Sequence, residues 1–209
     1  VETMGGTKPA YAFVKACLEA GKHVATSNKE LVAAHGPALL EIAKAHHVSF
    51  LFEASVGGGI PIIRPLVSSI TSDAVTEITG ILNGTTNYML TKMSEDGLDY
   101  DAVLEDAQER GYAERNPAAD VEGHDARRKI AILSSLISGQ QVDFEDIYCE
   151  GITQITVEDM RYAKAMGTTI KLLASSKTHA GRLGAMVAPC MLYPDHPLYN
   201  VNGVFNAIF

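Results

Sequence analysis

The first 56 residues alternate short apolar runs with amphipathic helical stretches. The apolar runs are VETM, KHVAT and VSFLFEAS, and helical patterns fill the two intervals between them. Gly21 closes the first helical pattern, and Gly36-Pro37 predicts a break or restart inside the second. Because strands that are joined through helices pair in parallel, this order predicts a parallel sheet with helical crossovers, the latter part of a doubly wound α/β domain.

The pattern changes after the glycines at 57–59. The rest of the chain predicts helices over 60–70, 83–93, 100–111, 121–139 and 157–167, and strands over 73–82, 168–178, 183–193 and 203–209. We therefore expect a second domain that mixes helices and strands. The predicted boundary lies at the glycine-rich turn, which gives domains over 1–56 and 57–209.

The helix predicted over 121–139 places an acid and an amine within its apolar stripe. With Asp125 at zero on a helical wheel, Ile132 and Leu136 lie about 20° to either side and Lys129 lies at about 40°. One interpretation is an i,i+4 ion pair at the edge of the core. The other is a catalytic pair in a cleft, where a partly desolvated lysine donates a proton and the carboxylate orients it. Spacing alone leaves both open.

Further polar residues precede this helix on an irregular segment that contains Pro117. They are Tyr112, Glu114 and Asp120. Several acids around one lysine suit a substrate that carries an ammonium group and a polar oxygen. The alternative for each acid alone is a solvated loop charge.

Three turns are further candidates for binding sites. Lys29 in TSNKE follows a strand at the ligand-binding edge of the parallel sheet, although it also fits an ordinary first helical turn. The run EASVGGGIP is a weak phosphate loop, and its carbonyls suit an alkali cation as well as they suit a hinge. The run NGTTN fits helix capping or an anionic or amide ligand at a helix N-terminus.

Composition narrows the classes of function. With 17 basic and 25 acidic residues the net charge is −8, which argues against binding to nucleic acid. No apolar run approaches the roughly 18 residues that a membrane span requires. Three widely separated cysteines predict reduced thiols in a cytoplasmic protein. The first residue is not Met and the last is apolar, so we expect both ends to be cut.

Four motifs together carry a resemblance to a known family. GKHVATSNKE, FEASVGGGIPII, GILNGTTNYML and GYAERNPAADVEGHDARRK, in this order, resemble homoserine dehydrogenase over nearly the whole chain. The resemblance implies reduction of L-aspartate 4-semialdehyde to L-homoserine with NADPH or NADH, on the route to threonine, isoleucine and methionine. It also implies an incomplete Rossmann-like sheet followed by an α+β domain for substrate binding and dimerisation, in a homodimer.

The resemblance assigns roles to individual residues. It implies proton donation by Lys129, positioning by Asp125 and Asp120, ammonium binding by Glu114, a lysine shared between catalysis and cofactor at Lys29, a backbone contact to the cofactor at Gly111, and pocket lining by Thr85 and Tyr112. A sodium site made mostly of main-chain carbonyls is implied at Glu53, Val56, Gly58 and Ile60.

The sequence departs from the family in lacking its first βα unit with the GxGxxG phosphate loop. We therefore expect a fragment whose cofactor affinity is reduced, because the loop supplies amides and a helix dipole to the pyrophosphate. Two alternatives stay open. One is an inactive scaffold that only dimerises, and the other is a related dehydrogenase for another aldehyde.

Overall fold

The computed structural model describes residues 1–70 and 72–209, and its elements are as follows. In chain order they are α1 (Ala10–Glu19), β1 (Val24–Ala25), α2 (Lys29–Ala45), β2 (Phe50–Leu51), α3 (Ile63–Ser68), β3 (Glu77–Ile81), α4 (Gly84–Asp96), α5 (Tyr100–Glu109), α6 (Ala118–Val121), α7 (His124–Ser138), β4 (Tyr148–Cys149), α8 (Val157–Ala165), β5 (Thr169–His179), β6 (Arg182–Leu192) and β7 (Ala207–Ile208).

The chain divides into two compact units. The first unit comprises 1–76 and 128–146, and the second comprises 77–127 and 147–209. Helix α7 crosses the division, so its first residues belong to the second unit and the remainder to the first. The domain boundary proposed at 56/57 concerns a functional division and stays a prediction.

The first unit contains the predicted parallel strands. Val24 pairs with Phe50 in parallel, and Glu2 forms a parallel bridge to Thr26. The strand expected over 48–55 is shorter than predicted, because Glu53–Ser55 forms a 3₁₀ turn. The hydroxyl and amide of Ser55 both donate to the Phe52 carbonyl, a local alternative to strand pairing.

Helix α2 continues through Pro37, so the predicted break at Gly36-Pro37 is wrong. Proline cannot donate the hydrogen bond that the carbonyl of Ala33 would receive in a regular helix. The side-chain amide of Gln141 donates to that carbonyl instead, at 2.9 Å. A residue more than a hundred positions later therefore satisfies the acceptor that proline leaves open.

The second unit is built on a five-stranded sheet in the order β4-β6-β5-β3-β7. Its longest pairing is the antiparallel hairpin β5–β6, in register from Thr169 opposite Leu192 to His179 opposite Arg182. The hairpin confirms the two predicted long strands. Strand β4 was not predicted; it pairs in parallel with β6 over only two residues, too few for a periodic signal.

Helix α4 lies against this sheet and carries buried apolar side chains, including Met89, Leu90 and Met93. Its first residue is Gly84, where an added Cβ would lie 2.7 Å from the Val204 carbonyl oxygen. Only glycine allows this close approach, which fixes the start of the helix against the 201–205 segment.

The helix predicted over 121–139 is α7, which begins three residues later than predicted, because Val121 instead ends the short helix α6. Short helix α6 ends before Gly123, which has φ +83°, and α7 begins at His124. The left-handed glycine lets the chain change direction between the helices. Asp120 and Asp125 consequently lie on different elements of the second unit.

Candidate functional site

The start of helix α4 is capped by Asn83, which is 6% exposed. Its side-chain oxygen accepts hydrogen bonds from the Thr86 amide at 2.9 Å and the Thr86 hydroxyl at 3.0 Å. This is ordinary capping of an orphan helical amide, as the NGTTN motif predicted.

The side-chain nitrogen of Asn83 brings two predicted site residues together. It donates to Asp120 Oδ1 at 2.7 Å and to Asp125 Oδ2 at 3.0 Å. Sequence reasoning missed this role of Asn83. The available signal was that an asparagine cap, unlike a serine or threonine cap, has an amide nitrogen left over for other partners.

Asp125 is 3% exposed near the start of α7, and Lys129 is half-buried on the same helix. Helix geometry sets residues four apart on one face, so the structure keeps the predicted spacing of acid and amine. A carboxylate this deeply buried requires hydrogen-bond donors, and Asn83 supplies one. The assignment of Lys129 as proton donor stays a prediction.

The segment that carries Tyr112 and Glu114 is held at several main-chain atoms. The Thr85 hydroxyl donates to the Tyr112 carbonyl at 2.5 Å, which joins the two residues predicted to line a pocket. The side-chain amide of Gln108 donates to the Glu114 carbonyl at 3.0 Å. Gly111 has φ +76° and ends α5 in a left-handed turn. Because main-chain atoms carry these contacts, the exposed side chain of Glu114 does not take part in them.

The Tyr112 ring packs against a tyrosine that belongs to a second polar cluster, made of Tyr88, Asp106 and Arg110. This ring meets Tyr88 edge-on, with centroids 4.9 Å apart, and the Tyr88 hydroxyl donates to Asp106. Arg110 also donates to Asp106, at 2.8 Å. The hydrogen bonds from Tyr88 and Arg110 lower the pKa of Asp106, while burial and the bond to Asp106 raise the pKa of Tyr88.

Lys29 begins helix α2 in the first unit, directly after its cap Asn28. The Asn28 side-chain oxygen accepts from the Leu31 amide at 3.1 Å. The Asn28 side-chain nitrogen donates to the Gly6 carbonyl at 2.7 Å and lies 3.5 Å from Glu2. Glu2 is 6% exposed and also accepts from the Thr26 hydroxyl at 2.6 Å. These contacts fix the turn from which Lys29 projects.

In the first unit an ion pair joins helix α2, which begins with Lys29, to helix α7, which carries Lys129. Arg128 lies 3.7 Å from Glu30 across an ion pair, and its guanidinium lies 5.8 Å from the centre of the Phe144 ring. Glu30 follows Lys29 and Arg128 precedes Lys129, so this pair connects the first turn of α2 to α7. A partly exposed pair of this kind contributes little stability, and its importance here is positional.

The predicted sodium residues form a turn whose carboxylate is already engaged. Glu53 accepts from the amides of Ile62 at 2.6 Å, Ile63 at 2.9 Å and Arg64 at 2.8 Å. No hydrogen bond within residues 1–70 and 72–209 reaches the carbonyls of Val56, Gly58 or Ile60. The sodium site at these residues stays a prediction.

Two kinds of feature are absent from the described residues. No helix in them is both long enough and apolar enough to cross a bilayer. In the same part of the chain, no three His, Cys, Asp or Glu side chains are grouped so that they could hold a metal ion. The three cysteines are not joined by disulfides.

Comparison with known proteins concerns the whole chain. A family model described as homoserine dehydrogenase matches residues 61–209, and one described as the homoserine dehydrogenase NAD binding domain matches residues 1–53. Together these models cover almost the whole chain.

Individual relatives agree with the models. Homoserine dehydrogenases from Synechocystis sp. and Bacillus subtilis are 48% and 43% identical to the chain over its full length, which is 49% and 48% of theirs. A solved homoserine dehydrogenase from Thiobacillus denitrificans matches 99% of the chain with a TM-score of 0.95 and 42% identity, over 48% of its own length. The chain thus spans about half the length of the relatives it matches. It belongs to the homoserine dehydrogenase family.

Proposed function

We propose that this chain carries the substrate-binding and acid–base residues of a homoserine dehydrogenase, which interconverts L-aspartate 4-semialdehyde and L-homoserine. The observation that carries the proposal is a pair of acids, the partly exposed Asp120 and the buried Asp125, that Asn83 holds near the start of the helix that bears Lys129. Family membership indicates the substrate, and this pair, together with Lys129, indicates acid–base catalysis.

Each residue contributes to a different part of the reaction. Lys129 donates a proton to the oxygen that becomes the homoserine hydroxyl, and Asp125 and Asp120 keep it charged and placed. Glu114 binds the substrate ammonium, which fixes the face that the aldehyde presents. Its side chain is free for this because Gln108 holds only its carbonyl.

A nicotinamide cofactor, NADP(H) or NAD(H), would supply hydride transfer at the aldehyde carbon. A related archaeal homoserine dehydrogenase has been solved in complex with NADPH; it is 30% identical, with a TM-score of 0.83. The match of residues 1–53 to an NAD binding domain supports such a group, and the open space beside Gly5 and Gly111 leaves room for it. Lys29 and the Gly111 main chain would contact the cofactor. The Val56, Gly58 and Ile60 carbonyls would hold a structural sodium ion.

The proposal extends to assembly and location. Tyr148 and Met186 are neighbours across β4 and β6 and are 60% and 39% exposed, which supports a homodimer formed through the second unit's sheet. Cys17, Cys149 and Cys190 form no disulfide, which fits a reducing cytoplasm. The functional boundary at 56/57 is part of the same proposal.

The central test places residues 1–209 in a hybrid protein. In the hybrid they replace the matching half of the Synechocystis homoserine dehydrogenase, and oxidation of L-homoserine is followed through the reduced nicotinamide that forms. We expect the hybrid to be active and Lys129→Ala to lower its kcat by about 10²-fold or more. Lys129→Arg should also be impaired, because guanidinium does not release a proton near neutral pH.

The matched control is Lys15→Ala, which removes an exposed lysine paired with Glu19 at 3.7 Å on α1 and should leave turnover unchanged. Near-normal turnover in Lys129→Ala would remove its role as the acid. A stable hybrid that does not oxidise homoserine but acts on another aldehyde would favour a related dehydrogenase. A stable hybrid without any dehydrogenase activity would favour a scaffold.

A further inference from the structure

Asn83 is buried between a helix terminus and two acids, and it fulfils two functions with one side chain. Its oxygen caps α4 through the Thr86 amide, and its nitrogen donates to Asp120 and Asp125. We infer that Asn83 is a positioning residue for the acid–base chemistry, an inference that rests on the proposed function.

The two contacts fix the orientation of the amide. A carboxamide has two N–H groups on one side and a carbonyl oxygen on the other. Rotation by half a turn would point NH₂ at the Thr86 amide and the oxygen at two carboxylates, which removes the hydrogen bonds to that amide and to both acids. Each N–H is therefore committed to one acid, and the cap on α4 determines where both acids lie.

The same arrangement controls charge. Two carboxylates that meet at one point repel each other, and a neutral donor shared between them stabilises the ionised form of both. Asp125 is 3% exposed, so few solvent molecules can replace that donor. The amide thus favours the charged form of both acids without adding a third charge beside them.

The decisive variant is Asn83→Asp, which has the same shape and keeps an oxygen to cap α4. It removes both N–H donors and adds a third carboxylate. We expect kcat of the hybrid to fall by about 10²-fold and the acid side of its pH profile to move to higher pH. Thermal stability should fall as well, because a third carboxylate joins two acids that have lost their donor, although the cap is retained. Turnover is therefore measured per folded enzyme, at a temperature well below the unfolding midpoint.

Asn83→Ser should lower turnover by less, since serine caps a helix but donates to one acid at most. We expect a loss of about tenfold. The control for cap chemistry alone is Asp99→Asn on α5, whose side chain caps the exposed Ala102 amide at 2.9 Å; it should leave kcat and the pH profile unchanged.

Wild-type kcat and pH profile in Asn83→Asp would overturn the inference, and so would a loss of activity that matches a loss of folded protein. If the unaltered hybrid itself has no activity, the proposed function fails instead. The carboxyl NMR signals of Asp120 and Asp125 in residues 1–209 then decide the role of Asn83. Higher titration midpoints in Asn83→Asp would support it, and unchanged midpoints would refute it.

Discussion

Asn28 and Asn83 begin α2 and α4, one in each unit, and their side-chain nitrogens have very different partners. Both use the oxygen to cap a backbone amide, at 3.1 Å from Leu31 and 2.9 Å from Thr86. The nitrogen of Asn28 donates mainly to a carbonyl, that of Gly6, with Glu2 at the limit of hydrogen bonding. The nitrogen of Asn83 donates to two acids at 2.7 and 3.0 Å.

The difference teaches that an asparagine cap has a second, variable function. Serine or aspartate would begin either helix equally well, but neither provides two N–H donors. At Asn28 the extra donor fixes a turn, and at Asn83 it fixes a pair of charges. Removing Asn83 should therefore cost more than removing Asn28, in stability as well as in turnover.

The largest expected effect is on stability when each asparagine is replaced by leucine. Asn83→Leu removes a cap and leaves two acids without their shared donor, so we expect the free energy of unfolding to fall by about 3–5 kcal/mol. Asn28→Leu removes a cap and a carbonyl contact and should cost about 2 kcal/mol. Urea unfolding of both variants measures the difference, and equal losses would show that capping alone explains both residues.

A smaller effect is expected at the acid beside Asn28. The two carboxylate oxygens of Glu2 accept from the Met4 amide at 2.5 Å and from the Thr26 hydroxyl at 2.6 Å. Glu2→Gln keeps the size of the side chain, removes the charge and replaces one of these oxygens by an NH₂ group. We expect a loss of about 1–3 kcal/mol in the free energy of unfolding. Glu19→Gln on the exposed face of α1 is the control and should change it by less than about 1 kcal/mol. A loss no greater than that of the control would mean that Glu2 does not stabilise the turn.

The smallest effect concerns a third asparagine, Asn87 in the first turn of α4. Its oxygen accepts from the buried Lys171 ammonium at 3.3 Å, which also donates to the Val201 carbonyl at 2.7 Å and to Asn202 at 2.8 Å. Burial lowers the pKa of Lys171 to about 8, and Glu95 partly opposes this shift. This amide therefore faces a cation, where Asn83 faces anions.

The lowered pKa predicts how stability varies with pH. The ordinary value is 10.5, so between about 8 and 10.5 the unfolded chain binds more protons than the folded one. The free energy of unfolding should rise with pH across this window, by on the order of 1 kcal/mol after solvent screening. Lys171→Met should abolish the rise, whereas Lys177→Met, which removes an exposed lysine 3.0 Å from Glu77, should keep it. If the free energy of unfolding rises with pH by the same amount in both variants, groups other than Lys171 cause the rise.

Local patterns accounted for much of the fold. The parallel order of β1 and β2 followed from strand–helix alternation, and the hairpin β5–β6 from two long apolar runs. One exception has a tertiary cause. Helix α2 passes Pro37 because Gln141 satisfies the Ala33 carbonyl, and no local rule foresees a donor from so far along the chain.

The site shows the same division. The wheel of residues 121–139 identified Asp125 and Lys129 on one face, and four motifs identified the family. Neither periodicity nor motif indicated that Asn83 reaches both acids, that Gln108 holds the carbonyl of Glu114, or that Glu30 meets Arg128.

The sequence by itself determined the helix faces, the caps and the kind of residue available at each position, because those depend on neighbours within a few residues. Only the tertiary structure decided which donor meets which acceptor across long separations in the chain. The physical reason is that a buried polar atom must find a partner within about 3 Å, and the folded backbone alone sets which atoms come that close.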